Sequence, residues 1–173
     1  CANAVESAIH RMAKQLILER QEIWLPGLKL EQLVVGPTAY GQALPSWQET
    51  VCVTVQDEGL TPLQGCREEQ EYAGRRPDIL ASTESGMLIA IEVANTHFSD
   101  DEKRHWMAEN NLTTLEIDLQ ISPEIPTDGV RGELEQRLFE ASHFGTWLHH
   151  ARHASAAKEL GQLVQAVSTK YVD

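Results

Sequence analysis

The chain has 173 residues, of which 42% are hydrophobic and 23% are charged. This is the composition of an ordinary globular protein, and the length predicts one domain overall. Its 14 basic and 26 acidic residues leave a net charge of −12, which excludes a strong overall attraction to an anionic polymer or membrane, so any anion-binding site must be local. We expect a cytoplasmic protein, because no run of about 18 apolar residues and no secretory signal is visible. The cysteines lack the spacing of a structural zinc site and are expected to be reduced thiols.

The first third of the chain predicts a helix followed by strands. Apolar residues at helical spacing over residues 3–24 predict an amphipathic helix, which Pro26-Gly27 would end. Residues 33–35 predict a short strand, and the β-branched run 50–56 predicts another. Residues 57–74 mix glycine, proline and charge, and predict a loop or an irregular strand.

The middle of the chain predicts a β-hairpin, a helix and a further strand. Two β-rich runs, 75–83 and 86–95, meet at Glu84-Ser85-Gly86, which is a hairpin signal with glycine in the turn. Ser99 is the predicted cap of a helix that reaches about Asn110. Residues 113–119 form the next predicted strand, so the strand–helix–strand order indicates a parallel pair.

The C-terminal part predicts helices. Thr127 is expected to cap a helical region, and a further helix is expected over residues 155–168. The apolar stripe of the first of these regions would include Leu134, Leu138, Ala141 and Trp147-Leu148. The predicted architecture is therefore α/β in one domain, with C-terminal helices that pack on it or reach toward a partner.

Two acidic residues of the hairpin are predicted to face each other. If the turn is centred on Ser85, facing residues have numbers that add up to 170, which places Asp78 opposite Glu92. Adjacent like charges need a shared proton or a bound cation, and the small Ala90 and Ala94 would leave room for a ligand. Two carboxylates open to water suit Mg²⁺. The same pattern also fits an exposed polar face whose acids are simply solvated.

Candidate catalytic side chains follow Glu92. His97 lies where the strand is predicted to end and Lys103 in the following helix, close to the strand end where functional groups of α/β sheets collect. A histidine there could act as a general base, and a lysine could stabilise developing phosphate charge. Alternatively, His97 is a hydrogen-bonded strand cap and Lys103 is a solvated ion-pair partner within its own helix.

The region from Arg75 to Leu119 resembles the PD-(D/E)XK nuclease superfamily, and in particular nucleases like the competence protein CoiA. Pro77-Asp78 matches the "PD" and Glu92 the "(D/E)", and the strand–helix–strand ends in Glu116-Ile117-Asp118. The first helix is similar to the one that opens the nuclease core in those proteins, through Glu6-Ser7, His10 and Lys14. The resemblance covers roughly residues 1–150.

The resemblance implies a restriction-endonuclease-like core over residues 1–122, made of a helix, a central mixed β-sheet with a hairpin, a helix and a strand. Residues 123–173 would form a C-terminal helical extension packed on that core. Whether Glu116 and Asp118 share the face of Glu92 is left open by the sequence.

The implied activity is that of a magnesium- or manganese-dependent deoxyribonuclease. Asp78 and Glu92 would hold the metal, with the carbonyl of Val93 and with Glu6 as further candidate ligands, although Glu6 could equally be a surface acid near a helix start. The lysine of the family motif corresponds to Ala94 here. Lys103 is the natural substitute and His97 the second choice. If neither reaches the metal, the chain would be an inactive module that binds nucleic acid or a protein partner.

Several basic residues are candidates for contact with DNA phosphates. Such contacts would position a backbone without reading bases. The C-terminal helices are candidates for a homodimer or partner-protein interface, and no membrane partner is expected. His149, His150 and His153 could place two histidines on one helix face for a transition metal, or form a solvated helix end. The phosphate-facing candidates are Lys14, Arg67, Arg75, Arg76, Lys103 and Arg104.

Overall fold

A computed structural model describes residues 2–94, 99–121, 125–140 and 142–171, with side chains for all of these except residues 2–7 and 142. None of the helices in these ranges combines the length and the apolar character that crossing a membrane requires. The helices are α1 (Ala2–Arg20), α2 (Asp101–Glu109), α3 (Val130–Phe139) and α4 (His153–Lys170); the strands are β1 (Glu22–Leu25), β2 (Leu28–Val35), β3 (Gln48–Gln56), β4 (Gly59–Glu68), β5 (Ile79–Thr83), β6 (Leu88–Ala94), β7 (Thr113–Asp118) and β8 (Gly145–His149).

The first compact unit comprises residues 1–26 and 58–151. Its centre is a six-stranded sheet in the order β1-β4-β5-β6-β7-β8. Strands β6 and β7 pair in parallel across the connection that contains α2, and the other neighbours pair antiparallel. The sheet is therefore mixed, which confirms the predicted α/β class and the predicted parallel pair.

One face of this sheet forms the main hydrophobic core. Ile79, Ile91 and Val93 alternate with residues of the opposite face, because successive side chains of a strand point to opposite sides. They are buried together with Leu16 of α1 and Leu138 of α3. The apolar faces of α1 and α3 therefore pack in the same core as the hairpin.

The second unit comprises residues 27–57 and 152–173. It is a two-stranded antiparallel ribbon of β2 and β3, packed on α4 through Val53, Val55 and Ala156. Residues 27–57, expected in the core, group here with α4, whereas β8, expected in the C-terminal extension, lies in the sheet of the first unit. Self-association through the C-terminal helices stays a prediction.

Two strands lie where the sequence predicted helix. The first helix ends at Arg20 rather than near residue 24, since Gln21 adopts a left-handed conformation with φ of 50°, and β1 follows. Trp147 and Leu148, expected on a helical stripe, lie in β8, which pairs with β7. In both cases pairing with a distant strand outweighs the local helical periodicity.

Several boundaries differ in detail. Asp100, not Ser99, caps α2, and its side chain accepts a hydrogen bond from the backbone N–H of Lys103. Thr127 begins a short 3₁₀ turn, and α3 starts at Val130 without a side-chain cap. Residues 57–74, expected to form a loop or an irregular strand, contain the strand β4. Its register shifts near Gly65, where φ is 61°.

Candidate functional site

The register of the β5–β6 hairpin is the one predicted. Ile79 pairs with Ile91 and Leu80 with Ala90, so facing residue numbers add up to 170. In the turn, the N–H of Thr83 donates to the carbonyl of Met87 at 2.9 Å. Asp78 directly precedes β5, and it therefore lies at the open end of the hairpin, next to Glu92.

Glu92 is an almost completely buried carboxylate in contact with a lysine. The residue is 5% exposed, and its Oε2 lies 2.7 Å from Nζ of Lys103. Its Oε1 is buried and has no hydrogen-bond partner within the described part of the chain. Burial raises the pKa of Glu92 to about 7; Lys103 opposes this shift, and the negative charge of Asp78 adds to it.

Asp78 accepts hydrogen bonds from two donors among the described residues. Its Oδ2 accepts a hydrogen bond of 2.8 Å from the backbone N–H of Val93 and one of 3.1 Å from Nε2 of His10. Burial acts to raise the pKa of Asp78, but the bonds from His10 and Val93 outweigh it and lower the pKa. The same hydrogen bond raises the pKa of His10 in spite of its partial burial. The two carboxylates therefore have opposite pKa shifts.

Helix α2 brings Lys103 to this site. Asp100 caps the helix by accepting from the N–H of Lys103 at 2.8 Å, which fixes the first helical turn beside the end of β6. The side chain of Lys103 is 30% exposed. A lysine from the helix thus contacts the carboxylate that the sequence singled out, whereas position 94 carries a buried alanine.

Glu116 shares the face of Glu92. The two residues are partners in the parallel pairing of β6 and β7, and paired residues point to the same side of a sheet. Glu116 is 5% exposed, and its Oε2 accepts a hydrogen bond of 2.7 Å from the backbone N–H of Ser99. Asp118, two residues along, instead accepts from the nearby N–H of Gln120 at 2.8 Å.

Lys14 is engaged inside the protein. It is 5% exposed, and its Nζ contacts Glu68 and Glu69. Burial acts to lower its pKa, but the bonds to the two glutamates outweigh it and raise the pKa. The N–H of Glu69 in turn donates to the carbonyl of Asp78 at 3.1 Å. Lys14 therefore supports the strand next to the site.

The other basic candidates lie at or near the surface, and two of them have acidic neighbours. Arg75 pairs with Glu102 at 2.6 Å and lies over the ring of Trp106. Arg76 is 3.9 Å from Glu71. The remaining two side chains are exposed: Arg67 on β4, and Arg104, which donates to the carbonyl of Ser99.

Two candidate site residues cannot be placed. His97 lies outside the described residues, and the side chain of Glu6 is also outside them, although its backbone is part of α1. Among the described side chains, no group of three or more histidine, cysteine, aspartate or glutamate residues converges as a metal site.

The predicted histidine cluster does not form one helix face. His149 ends β8 and contacts Oδ1 of Asn111 through its Nε2 at 2.9 Å. His150 is buried edge-on to the ring of Trp147, and His153 begins α4. The helical interpretation was wrong because β8 replaces the expected helix.

His10 and Glu116 lie at this site, and both were named from the sequence without a role in it. His10 was recognised only through the resemblance of the first helix to a nuclease core, together with Glu6-Ser7 and Lys14. For Glu116, the sequence left open which face of the sheet it occupies, because the strand pattern does not give its register against β6.

Comparison of the chain with protein-family models, with curated proteins and with solved structures found no match.

Proposed function

We propose that this chain is a metal-dependent nuclease of the PD-(D/E)XK type, with a restriction-endonuclease-like core, that hydrolyses phosphodiester bonds in DNA. The observation that carries the proposal is the buried carboxylate of Glu92 beside Asp78, with one oxygen that has no partner in the described chain. A buried carboxylate oxygen without a donor is costly, and a cation at this position would remove the cost.

The side chains fit a hard divalent cation. Asp78, just before β5, and Glu92 of β6 supply carboxylate oxygens from the two arms of the hairpin, and Mg²⁺ is bound in proteins by one or two carboxylates with several waters. His10 and the N–H of Val93 donate hydrogen bonds to Oδ2 of Asp78 and so orient this carboxylate. Metal-binding carboxylates in proteins are commonly oriented by hydrogen bonds of this kind.

The cation and the basic side chains of the site would have different roles in hydrolysis. A bound divalent cation would polarise the phosphate and lower the pKa of a water molecule. Lys103 places a positive charge next to Glu92, where it would stabilise negative charge developing on the phosphate. The exposed Arg76 and Arg104 would hold the DNA backbone locally against a chain of net charge −12.

A second candidate function is an inactive module that binds nucleic acid or a protein partner. Two observations favour it: Ala94 replaces the motif lysine, and both carboxylates already have a basic neighbour, His10 and Lys103.

Manganese binding and plasmid cleavage test the proposal together. We expect the wild-type chain to bind one Mn²⁺ in calorimetry and to cleave plasmid DNA with Mg²⁺ or Mn²⁺. Asp78→Asn and Glu92→Gln remove a charged oxygen each with little change in shape, and we expect each to weaken Mn²⁺ binding by at least about tenfold and to abolish cleavage.

Matched controls separate the site from general charge effects. Glu84→Gln lies in the exposed turn of the same hairpin, and Asp128→Asn is an exposed residue of the same unit; both should bind and cleave like wild type. Mn²⁺ binding without cleavage of DNA or RNA would favour the inactive module, and cleavage that survives both site variants would contradict the assignment.

A further inference from the structure

The contact between Lys103 and Glu92 joins two groups that differ in their freedom to move. Glu92 is fixed within β6, and its side chain is 7% exposed. Lys103 carries its ammonium on a flexible four-carbon stem, and its side chain is 30% exposed. The ammonium can therefore leave toward solvent while the carboxylate cannot follow.

The carboxylate pair is only partly neutralised by this contact. Nζ of Lys103 lies 2.7 Å from Oε2 of Glu92, while Oε1 of the same carboxylate is buried without a partner in the described chain. On Asp78, it is Oδ2 that accepts from Val93 and His10. A monovalent ammonium thus satisfies one oxygen of a site that has two carboxylates.

We propose that Lys103 is an exchangeable counter-ion: a divalent cation bound by Asp78 and Glu92 displaces its ammonium from Glu92 and frees it for the phosphate of the substrate. This inference rests on the proposed function and adds how that site is regulated. The divalent ion has the larger charge and takes oxygens from both carboxylates, so it has the stronger attraction to the pair. The lysine stabilises the protein while the metal is absent and contacts substrate when it is present.

The exchange predicts an effect on metal binding that would be absent if Lys103 only stabilised charge on the phosphate. If the ammonium must be displaced, its attraction to Glu92 opposes metal binding, so removal of the charge tightens binding of the ion. Lys103→Met keeps the length of the stem and removes the ammonium. Metal affinity and catalytic activity should therefore change in opposite directions in this variant.

The test is calorimetric titration with Mn²⁺ at constant pH and salt. We expect Lys103→Met to bind Mn²⁺ about tenfold more tightly than wild type, which corresponds to part of the attraction between two opposite charges in contact at a partly buried site. Arg104→Met is the matched control, because it removes one positive charge from the next residue of α2 without a contact to Glu92; its affinity should stay within about twofold of wild type. Lys103→Gln serves as a second variant if Lys103→Met does not fold.

A second measurement follows the lysine itself. The NMR signal of the Lys103 ammonium should shift and exchange faster with solvent on addition of Mg²⁺, whereas that of Lys14, which contacts Glu68 and Glu69, should not change. Equal or weaker Mn²⁺ binding by Lys103→Met, or equal tightening in Arg104→Met, would overturn the exchange while leaving the nuclease proposal intact. Absence of Mn²⁺ binding in every variant would overturn the nuclease proposal as well.

Discussion

The two faces of the β5–β6 hairpin use the same strands for different purposes. The odd-numbered residues Ile79, Ile91 and Val93 are buried in the main core against α1 and α3. The even-numbered face combines a small apolar cluster around Leu80 and Ala90 with charged groups at its open end. Stability is concentrated on one face, which allows the other to keep costly buried charge.

The difference shows how a site can tolerate an unfavourable arrangement. Glu92 is buried as deeply as many core residues, and its neighbour Asp78 repels it. A marginally stable protein tolerates a buried charge only where other contacts offset its cost in folding free energy. Here the neighbouring residues Ile91 and Val93, buried in the main core, supply such contacts. Changes on the two faces should therefore have different signatures.

The largest expected effect is on the apolar face. Ile91→Ala removes buried methyl groups from the centre of the core, where the residue is completely buried, and we expect it to lower the free energy of unfolding by about 4 kcal/mol. Urea unfolding measures this loss. Leu60→Ala, at a residue of β4 that is 43% exposed, should cost less than about 1 kcal/mol; a similar loss in both variants would contradict the asymmetry between buried and exposed positions.

The charged face should show its effect through pH. Because the pKa of Glu92 is raised to about 7 in the folded chain from an ordinary 4.5, its contribution to stability is complete below pH 4.5 and is lost as the pH rises through about 7. The full loss is about 3 kcal/mol. We expect the wild-type chain to lose this stability relative to Glu92→Gln between pH 4.5 and 8, measured by urea unfolding.

The control for this pH dependence is Glu84→Gln, which changes an exposed glutamate in the turn of the same hairpin. Its difference from wild type should not vary with pH over the same interval. A difference between wild type and Glu92→Gln that is also constant with pH would show that Glu92 has an ordinary pKa.

The smallest expected effect concerns the hydrogen bond between Glu116 of β7 and the backbone of Ser99, just before α2. Glu116→Met removes the acceptor of the Ser99 N–H, and we expect a loss of about 1–2 kcal/mol with faster hydrogen exchange at that amide. Glu116→Gln keeps an acceptor oxygen and should restore most of the protection. Asp118→Asn is the control, because it changes the other carboxylate of the strand, which accepts from a local amide; exchange at Ser99 should not change in it. Unchanged exchange at Ser99 in Glu116→Met would contradict the hydrogen bond between Glu116 and Ser99.

Features that depend on neighbouring residues along the chain were predicted well. The turn at Gly86 adopts a φ of 83°, which glycine accommodates, and the β-rich runs beside it leave one register that buries the isoleucines. The pairing of β5 with β6, and so the position of Asp78 near Glu92, followed from these local signals. The parallel pairing of β6 and β7 followed from the short helix between them.

Features that depend on distant partners were not predictable in the same way. Residues 22–25 and 145–149 have no strong strand pattern, and they become strands because β4 and β7 offer open edges to pair with. The side on which Glu116 lies is set by its register against β6. Lys14 was expected to face phosphate and instead contacts Glu68 and Glu69, since its helix packs beside β4.

The residue order thus specified the hairpin, its two facing acids and a lysine in the next helix, because turn geometry and side-chain alternation act over a few residues. Which groups surround those acids was decided by packing: His10 reaches Asp78 from 68 positions earlier in the chain, and Lys103 reaches Glu92 from the following helix. Contacts of this kind depend on how helices and strands meet in space, and burial of the charged groups is a consequence of that assembly.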